Sequence, residues 1–243
     1  MNGGRASFAA LDAAVVVMGK LPRPGRVKTR LTPAVSSEAA ASLYRAFFAD
    51  VVRAVDSAGE EMSFRRVFAC AEMDDAAALA EARAMVPAGW MVEPQEGRDL
   101  GARMEMARIR ARARSVVIVG SDVPTLSSAG ILRALRALEA RAREPEEKPL
   151  AVLGPSLDGG FYLIAADRPM TPLFGGVSWS TSTVLAATLE NARREGFDPL
   201  LLEPARDVDD WEDVEALFGT LHPESASAAA LRALGFGASR LAP

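Results

Sequence analysis

The stretch VVVMGKLPRPGRVKTRLTP, from Val15 to Pro33, changes abruptly from a hydrophobic run into a loop of cations, prolines and glycine. An apolar, β-branched run that ends in turn residues is typical of a strand buried on both faces of a parallel sheet. The loop that follows holds five cations and no acid: Lys20, Arg23, Arg26, Lys28 and Arg30. Since open parallel sheets bind ligands beyond the carboxyl ends of their strands, this boundary predicts both the fold and its functional edge.

The alternation of apolar runs and amphipathic stretches continues through the first half of the chain. Strands are predicted in AAVVVM, RRVFACA, WMVEP and SVVIVG, which favours right-handed βαβ units with helices on both faces of the sheet. In the second half, LAVLGPSLDGGFYLIAAD predicts two strands around a glycine-rich turn, and PLLLEP predicts a last strand. The expected fold is therefore a three-layer α/β/α domain with a mostly parallel sheet and a more antiparallel second half.

The helices carry start and stop signals. SSEAAASLYRAFFADVVRAVDSAG predicts a helix that is capped by Ser36 or Ser37 and ended by Gly59. Further helices are expected from about Asp74 to Met85, in DLGARMEMARIRARAR with Asp99 as cap, in SSAGILRALRALEARARE with Ser127 or Ser128 as cap, in SWSTSTVLAATLENARREG as a capped helix closed by Gly196, and in DDWEDVEALF.

The composition is that of an ordinary globular protein, with 243 residues, 49% hydrophobic and 25% charged. We expect a single domain over residues 1–243, with a core of about 13–218 and a helical C-terminal tail at 219–243. The net charge of −4 argues against nucleic acid or an anionic membrane as the main partner. No apolar run is long enough for a membrane span, and Asp12 interrupts the N-terminal apolar stretch, so a cytoplasmic protein is expected.

Cysteine and histidine are too scarce for several kinds of site. The single cysteine, Cys70, excludes an internal disulfide, and its place in RRVFACA predicts a buried, inert thiol. The single histidine, His222, lies near the tail, which disfavours a Ser-His-Asp triad and excludes a histidine-pair metal site.

The loop after the first strand is suited to an anionic ligand. Gly25 lets backbone approach a ligand closely, and Lys20, Lys28 and Arg30 are candidates for contacts with phosphate oxygens. The spacing of a Walker loop is absent. The alternative is a solvated basic loop without a ligand, because most runs of charged residues are simply exposed to solvent.

The segment EPQEGRDLGARM, after the third strand, could meet a nucleotide base. Gln95 can hydrogen-bond a base edge, and Gly97 and Gly101 can admit the base or ribose. The alternative is a plain turn that leads into a helix capped by Asp99.

Aspartates follow two further strands. In VIVGSDVPTLS, Asp122 stands where a hydrophobic strand ends, and a charge there is costly to bury without a cation. Mg²⁺ favours one or two carboxylates plus substrate phosphates, whereas the alternative is a turn or cap role. In EPARDVDDWEDVEAL, we expect Asp210 to cap the next helix and Asp209 to be the second metal carboxylate.

The loop GPSLDGGFYLI carries one more carboxylate, Asp158, between a Pro-Ser and a Gly-Gly pair. It is the only candidate for a general base in this reading, and a plain hairpin turn explains it equally well.

The order of these segments carries a resemblance. KLPRPGRVKTRL, QEGRDLGARM, GSDVPTL, GPSLDGGFYLI, FGGVSWST and DVDDWEDV together resemble a bacterial family of GT-A-like transferases, of unknown function, in the nucleotide-diphospho-sugar transferase superfamily. The likeness runs from about Val15 to Leu217, and the segment from Lys20 to Leu31 also looks like phospholactate guanylyltransferase. The sequence departs from the superfamily in its opening, Met18-Gly19-Lys20-Leu21-Pro22, and in having Ser121-Asp122 in place of Asp-x-Asp.

The resemblance implies a GT-A fold that holds a nucleotide over the strand ends, Mg²⁺ (or Mn²⁺) at Asp122 and Asp209, and phosphate contacts from Lys28 and Arg30. Two activities are then open. One is nucleotidyl transfer from a nucleoside triphosphate to a phosphorylated small-molecule acceptor, and the other is glycosyl transfer from a nucleotide-sugar donor. A catalytically inactive, nucleotide-binding regulatory protein is the alternative to both.

Overall fold

A seven-stranded sheet forms the centre of the computed structural model, which describes residues 12–144 and 146–236. The strands are β1 (Ala13–Lys20), β2 (Arg65–Ala71), β3 (Met91–Pro94), β4 (Ser115–Gly120), β5 (Leu150–Pro155), β6 (Phe161–Ala166) and β7 (Asp198–Leu201). Their order across the sheet is β3-β2-β1-β4-β6-β5-β7. The N-terminal leader (1–11) and the end of the expected tail (237–243) lie outside the described residues.

The sheet changes character at one strand. β1 pairs in parallel with β2 and β4, and β2 pairs in parallel with β3. β6 is antiparallel to both of its neighbours, β4 and β5, and β5 pairs in parallel with β7. The predicted α/β class with a more antiparallel second half is confirmed. Because β5 and β6 form a hairpin, their connecting loop returns to the edge at which the parallel strands end.

Seven α-helices accompany the strands in the described part of the chain. They are α1 (Ser37–Glu61), α2 (Ala76–Ala84), α3 (Leu100–Arg110), α4 (Ser128–Ala142), α5 (Val184–Arg194), α6 (Trp211–Phe218) and α7 (Ala226–Ala233). The expected caps are confirmed, since side chains of four N-cap residues accept a backbone N–H of the first turn: Ser36, Asp99, Ser127 and Asp210. None of these helices could cross a membrane.

The helix predictions were wrong in three places. α1 continues through Gly59 to Glu61, and a Cβ at position 59 would lie 1.9 Å from Nη2 of Arg66. Glycine therefore makes room there for a guanidinium group rather than ending the helix. α3 stops at Arg110, and Arg112 takes the left-handed region with φ 48°. α5 starts after Thr183 without a side-chain capping bond, although Gly196 does follow its end at φ +79°.

Both faces of β1 are buried, as its apolar run predicts. Val15 and Val17 pack in a cluster with residues of α1 and α4, whereas Ala14, Val16 and Met18 belong to the cluster on the opposite face. A third cluster joins the loop after β1 to α1, α6 and α7; its fully buried members include Leu31, Leu43, Phe47, Val208 and Leu231. Cys70 is fully buried in β2, and desolvation raises its pKa to about 12, as an inert thiol requires.

Candidate functional site

A cleft of about 560 Å³ opens at the carboxyl ends of β1 and β4. Its lining includes five cations and two carboxylates: Lys20, Arg26, Lys28, Arg30, Arg103, Asp122 and Asp209. The local formal charge is therefore +3, although the whole chain carries −4. The cleft is a concentrated positive site on an acidic protein, which is the electrostatic character of a site for a small polyanion.

Lys28 is the centre of the charged network. Its side chain is only 5% exposed, and its Nζ lies 2.9 Å from Oδ1 of Asp122 and 3.4 Å from Oδ1 of Asp209. The same ammonium group donates a hydrogen bond to the carbonyl of Val208. The two aspartates proposed from sequence are thus brought together by one buried cation, and their Oδ1 atoms share it.

Local backbone geometry aims Lys28 at these partners. Lys28 has φ 46° and ψ 42°, the left-handed region, which costs a non-glycine residue about 1 kcal/mol or more. A short 3-10 helix, Thr29–Leu31, follows it and buries Leu31. The Val208 N–H donates to the Asp122 carbonyl at 2.9 Å, so the backbones of the two aspartate loops are joined directly.

Asp209 is held from both sides. Its Oδ2 lies 3.3 Å from Nη1 of Arg30, whose side chain is 73% exposed. Its backbone N–H donates to Oδ2 of Asp213 at 3.0 Å, and Asp213 also forms a capping box with Asp210. Burial opposes ionisation of Asp213, but the backbone N–H of Asp209 and the side chain of Arg206 outweigh it and lower its pKa.

Asp213 is a positioning residue that the sequence reading missed. The spacing Asp210-x-x-Asp213 at a helix start is the signal of a capping box and could have identified it.

Tyr44 is a second residue that the sequence reading missed. Its buried hydroxyl accepts a hydrogen bond from the Lys20 N–H at 2.7 Å and lies 3.1 Å from Oγ of Ser121. Desolvation and then the charge of Asp122 raise the pKa of Tyr44 well above its ordinary value, so the phenol remains neutral. The only available signal was a hydroxyl within the apolar stripe of α1.

Gln95 joins the ends of two strands. Its Nε2 donates to the carbonyl of Gly19 at 2.9 Å and to that of Ala69 at 2.8 Å. Both amide protons are therefore used by the sheet, and Oε1 is the atom of this side chain left to serve as an acceptor in the cleft.

The three glycines proposed as nucleotide contacts occupy different surroundings. Gly25 has φ +73° and open space around it, in the loop after β1. Gly97 has φ +146°, and a Cβ there would lie 2.6 Å from the Arg103 nitrogen. Gly101 packs against Phe174 and Trp179, where a Cβ would come within 2.8 Å of both, and it lines a separate cavity of about 350 Å³.

Asp158 lies in a third, smaller cavity of about 220 Å³, together with Asp207 and Asp209. Its Oδ1 accepts the Gly160 N–H at 2.8 Å, which is the bond of a turn residue. Burial and then the charge of Asp158 raise the pKa of Asp207 to about 6. Asp209 is the residue common to this acidic cavity and the basic cleft.

Comparison with known proteins identifies the family. Residues 54–181 match a family described as "uncharacterized protein conserved in bacteria (DUF2064)". The chain is also 30% identical to a crystal structure from Desulfovibrio desulfuricans G20, described as a "putative nucleotide-diphospho-sugar transferase", with a TM-score of 0.80 over 92% of this chain and 95% of that one. This chain belongs to the DUF2064 family. The resemblance to nucleotide-diphospho-sugar transferases is thereby confirmed.

More distant structures share the DUF2064 fold. Rv0371c from Mycobacterium tuberculosis H37Rv is 18% identical, with a TM-score of 0.51 over 86% of this chain and 99% of that one. A cytidylyltransferase from Leptospira borgpetersenii serovar Hardjo-bovis is 13% identical, with a TM-score of 0.54 over 94% of this chain and 96% of that one. No curated protein matches the sequence.

This DUF2064 site offers a divalent cation two carboxylate ligands, Asp122 and Asp209. Oδ1 of Asp122 is buried and accepts no hydrogen bond of good geometry from the described residues, although the Lys28 ammonium lies beside it. No group of three or more acidic, histidine or cysteine side chains in residues 12–144 and 146–236 is arranged to hold a metal. Two carboxylates suit Mg²⁺, which takes its other ligands from water and substrate phosphates.

Proposed function

We propose that this DUF2064 protein is a Mg²⁺-dependent transferase that binds the phosphates of a nucleotide donor in the basic cleft. One observation carries the proposal: five cations and the pair Asp122–Asp209 converge at the carboxyl edge of the sheet around the buried Lys28. The family relationship supports it, because the 30% identical structure bears the name of a nucleotide-diphospho-sugar transferase.

The exposed cations of the cleft are the expected phosphate contacts. Lys20 and Arg30 are exposed and line the cleft, so both can meet phosphate oxygens, and Arg30 does so beside its contact with Asp209 at 3.3 Å. Guanidinium and ammonium groups form charge-assisted hydrogen bonds with phosphate, and they stabilise the negative charge that a departing pyrophosphate or nucleoside diphosphate carries. Lys28 also lines the cleft, but its ammonium contacts Asp122 and Asp209 and its side chain is only 5% exposed.

Asp122 and Asp209 are the expected ligands of the metal, Mg²⁺ or Mn²⁺. When bound, such an ion supplies positive charge that stabilises a phosphate leaving group. Asp213 holds the backbone of Asp209, and Lys28 holds both carboxylates, so the chain itself fixes the ligand positions before any ion arrives.

Gln95 is the expected contact to the base. Because its amide protons are used by Gly19 and Ala69, it offers a base only its carbonyl oxygen, which accepts an N–H. None of the three proposed glycines is among the residues that line the cleft; Gly25 is the neighbour of Arg26, which does line it, and Gly101 packs against Trp179.

The geometry favours nucleotidyl transfer over glycosyl transfer. An acceptor phosphate is already anionic, so its attack on the α-phosphorus of a triphosphate needs positioning and charge stabilisation rather than a base. Inverting glycosyl transfer to a hydroxyl needs a carboxylate base, and Asp158 lies in the neighbouring acidic cavity while its Oδ1 accepts a turn hydrogen bond. Glycosyl transfer remains the second candidate because of the name of the 30% identical structure.

Two product assays test the proposal. The protein is incubated with Mg²⁺, each nucleoside triphosphate and a set of phosphorylated small molecules, and pyrophosphate is measured; a parallel assay follows hydrolysis of nucleotide-sugars. Pyrophosphate release supports nucleotidyl transfer, and turnover of nucleotide-sugars alone supports glycosyl transfer. Nucleotide binding without either product would overturn the enzyme assignment in favour of a regulatory binding protein.

A matched pair of arginine variants tests the site. Arg30→Gln removes a cation of the cleft, and we expect nucleotide affinity to fall roughly 10-fold, the value of one charge-assisted contact. Arg23→Gln removes a cation of the same loop that pairs with Glu81 at 3.4 Å, so its affinity should change less than about 2-fold. Equal effects of the two substitutions would refute specific phosphate binding at Arg30.

A further inference from the structure

The Lys28 ammonium lies where a divalent cation would find its ligands. It is within 2.9 Å of Asp122 Oδ1 and 3.4 Å of Asp209 Oδ1, while the other oxygen of Asp209 faces Arg30 at 3.3 Å. Three of the four oxygens of the two carboxylates thus either contact a cation of the chain or face one. The side chain of Lys28 is 5% exposed, so the ammonium has exchanged water for these partners.

We propose that Lys28 is an internal counter-ion that competes with the divalent cation for Asp122 and Asp209, and that it leaves these carboxylates when the ion binds. The inference rests on the proposed function for the identity of the metal ligands. It adds that a side chain of the protein itself, Lys28, occupies the metal-binding carboxylates until the ion binds.

Electrostatics gives the reason for competition. Two cations that share the same oxygens repel each other, and little water screens the ammonium because the Lys28 side chain is only 5% exposed, so ammonium and divalent ion do not both keep these contacts. Lysine suits this role because its charge is a compact point on a flexible four-carbon stem, which can turn to another anion. Within the cleft, the anion that offers new contacts is the phosphate chain of the donor.

An order of binding follows from this exchange. Metal alone must displace Lys28 without giving the ammonium a new partner, and it should therefore bind weakly. Metal that arrives with a nucleotide brings phosphates for the ammonium, and each ligand should then raise the affinity of the other.

Metal titration of two lysine variants tests the competition. Mn²⁺ alone is titrated into the wild type, Lys28→Met and Lys20→Met, and binding is followed by electron paramagnetic resonance of the free ion. We expect Lys28→Met to bind Mn²⁺ at least 10-fold more tightly than the wild type. Lys20→Met removes the same charge from the same cleft without touching either aspartate, and we expect a change below 3-fold. Equal or weaker binding by Lys28→Met would overturn the inference.

Amine labelling of the wild type gives a measurement that needs no substitution. The chain has only three lysines, Lys20, Lys28 and Lys148, of which Lys20 and Lys148 are exposed and serve as internal references. With an acylating reagent and mass spectrometry, Lys28 should react slowly without metal and several-fold faster at saturating Mn²⁺, while the references stay constant. Unchanged labelling of Lys28 at saturating metal would overturn the inference. Neither result depends on turnover, so a failure of the proposed transferase activity would be seen separately in the product assays.

Discussion

The hydroxyl oxygens of Tyr44 and Ser121 lie 3.1 Å apart, and this contact joins the longest helix, α1, to the loop that carries Asp122. The Tyr44 hydroxyl also accepts the Lys20 N–H at 2.7 Å. One phenol therefore ties together a helix and the loops that follow β1 and β4. β1 and these two loops together hold four of the five cations of the cleft and one of its two carboxylates.

Tyr44→Phe should lower the free energy of unfolding by about 1–2 kcal/mol, because it leaves the Lys20 N–H without its protein acceptor and Ser121 without its partner. Urea denaturation measures the change. Tyr162→Phe is the matched control, since its hydroxyl makes a single hydrogen bond to the Glu203 carbonyl and its loss should cost less. A larger cost at Tyr162 would contradict the importance given to the Tyr44 contact.

Asp207 should make the stability of the protein depend on pH. Burial and then the charge of Asp158 raise the pKa of Asp207 to about 6 in the folded protein, above the value near 3.9 of an unfolded chain. The folded state thus holds the extra proton between about pH 4 and pH 6, so this group lowers the free energy of unfolding as pH rises through that range.

Asp207→Asn removes this penalty. In buffer without divalent metal, we expect the variant to be more stable than the wild type by about 2 kcal/mol at pH 8 and nearly equal to it at pH 4. Urea denaturation at both pH values checks the difference, and Asp158→Asn should act in the same direction by removing the neighbouring charge. A variant that is less stable than the wild type at pH 8 would contradict the assignment.

Gly59→Ala should not give the usual stabilisation of an alanine in a helix, which is about 1 kcal/mol. The new methyl group would displace the guanidinium of Arg66, which lies 1.9 Å from that position and pairs with Asp56 at 3.0 Å. In an Arg66→Ala background, the same substitution should recover the full gain. A double-mutant cycle of unfolding free energies measures the coupling, and simple additivity would contradict this role of Gly59.

Asp50→Ala should detach α7 from α1. The buried carboxylate of Asp50 accepts the backbone N–H groups of Ala226 at 2.9 Å and Ser227 at 2.8 Å, as well as the Ser227 hydroxyl. Loss of a buried, charged acceptor with several donors should cost about 3 kcal/mol of unfolding free energy. Asp74→Ala, at an exposed position, should cost less than about 0.5 kcal/mol in the same urea experiment.

Local sequence signals were sufficient for the elements and for most of their caps. Apolar β-branched runs identify β1 and β4 because these strands are buried on both faces, and Asp210 was recognisable as a cap from its place before Trp211. Gly59 was misread because its role depends on Arg66, which belongs to the next strand. A stop signal in the sequence cannot show what will pack against the residue.

The candidate site was predictable in its residue types and its place, and less so in its contacts. Asp122, Asp209, Lys28 and Arg30 meet at one edge because parallel strands bring their ends together. The burial of Lys28 between the two carboxylates, and the use of both Gln95 protons by strand carbonyls, depend on segments remote in sequence. Pair distances of this kind are set by tertiary packing, which no local pattern encodes.

Leu31, which follows Arg30, and Val208, which precedes Asp209, pack in one hydrophobic cluster with Leu231 of helix α7. Helices α6 and α7 therefore share one hydrophobic cluster with α1 and with the loop after β1. Since α7 packs through this separate cluster and an element outside the sheet opens at lower free energy than its central strands, release of α7 would free both charged loops while the strands remain paired. On gentle heating, the affinity for a nucleotide should therefore be lost at a lower temperature than the strand structure.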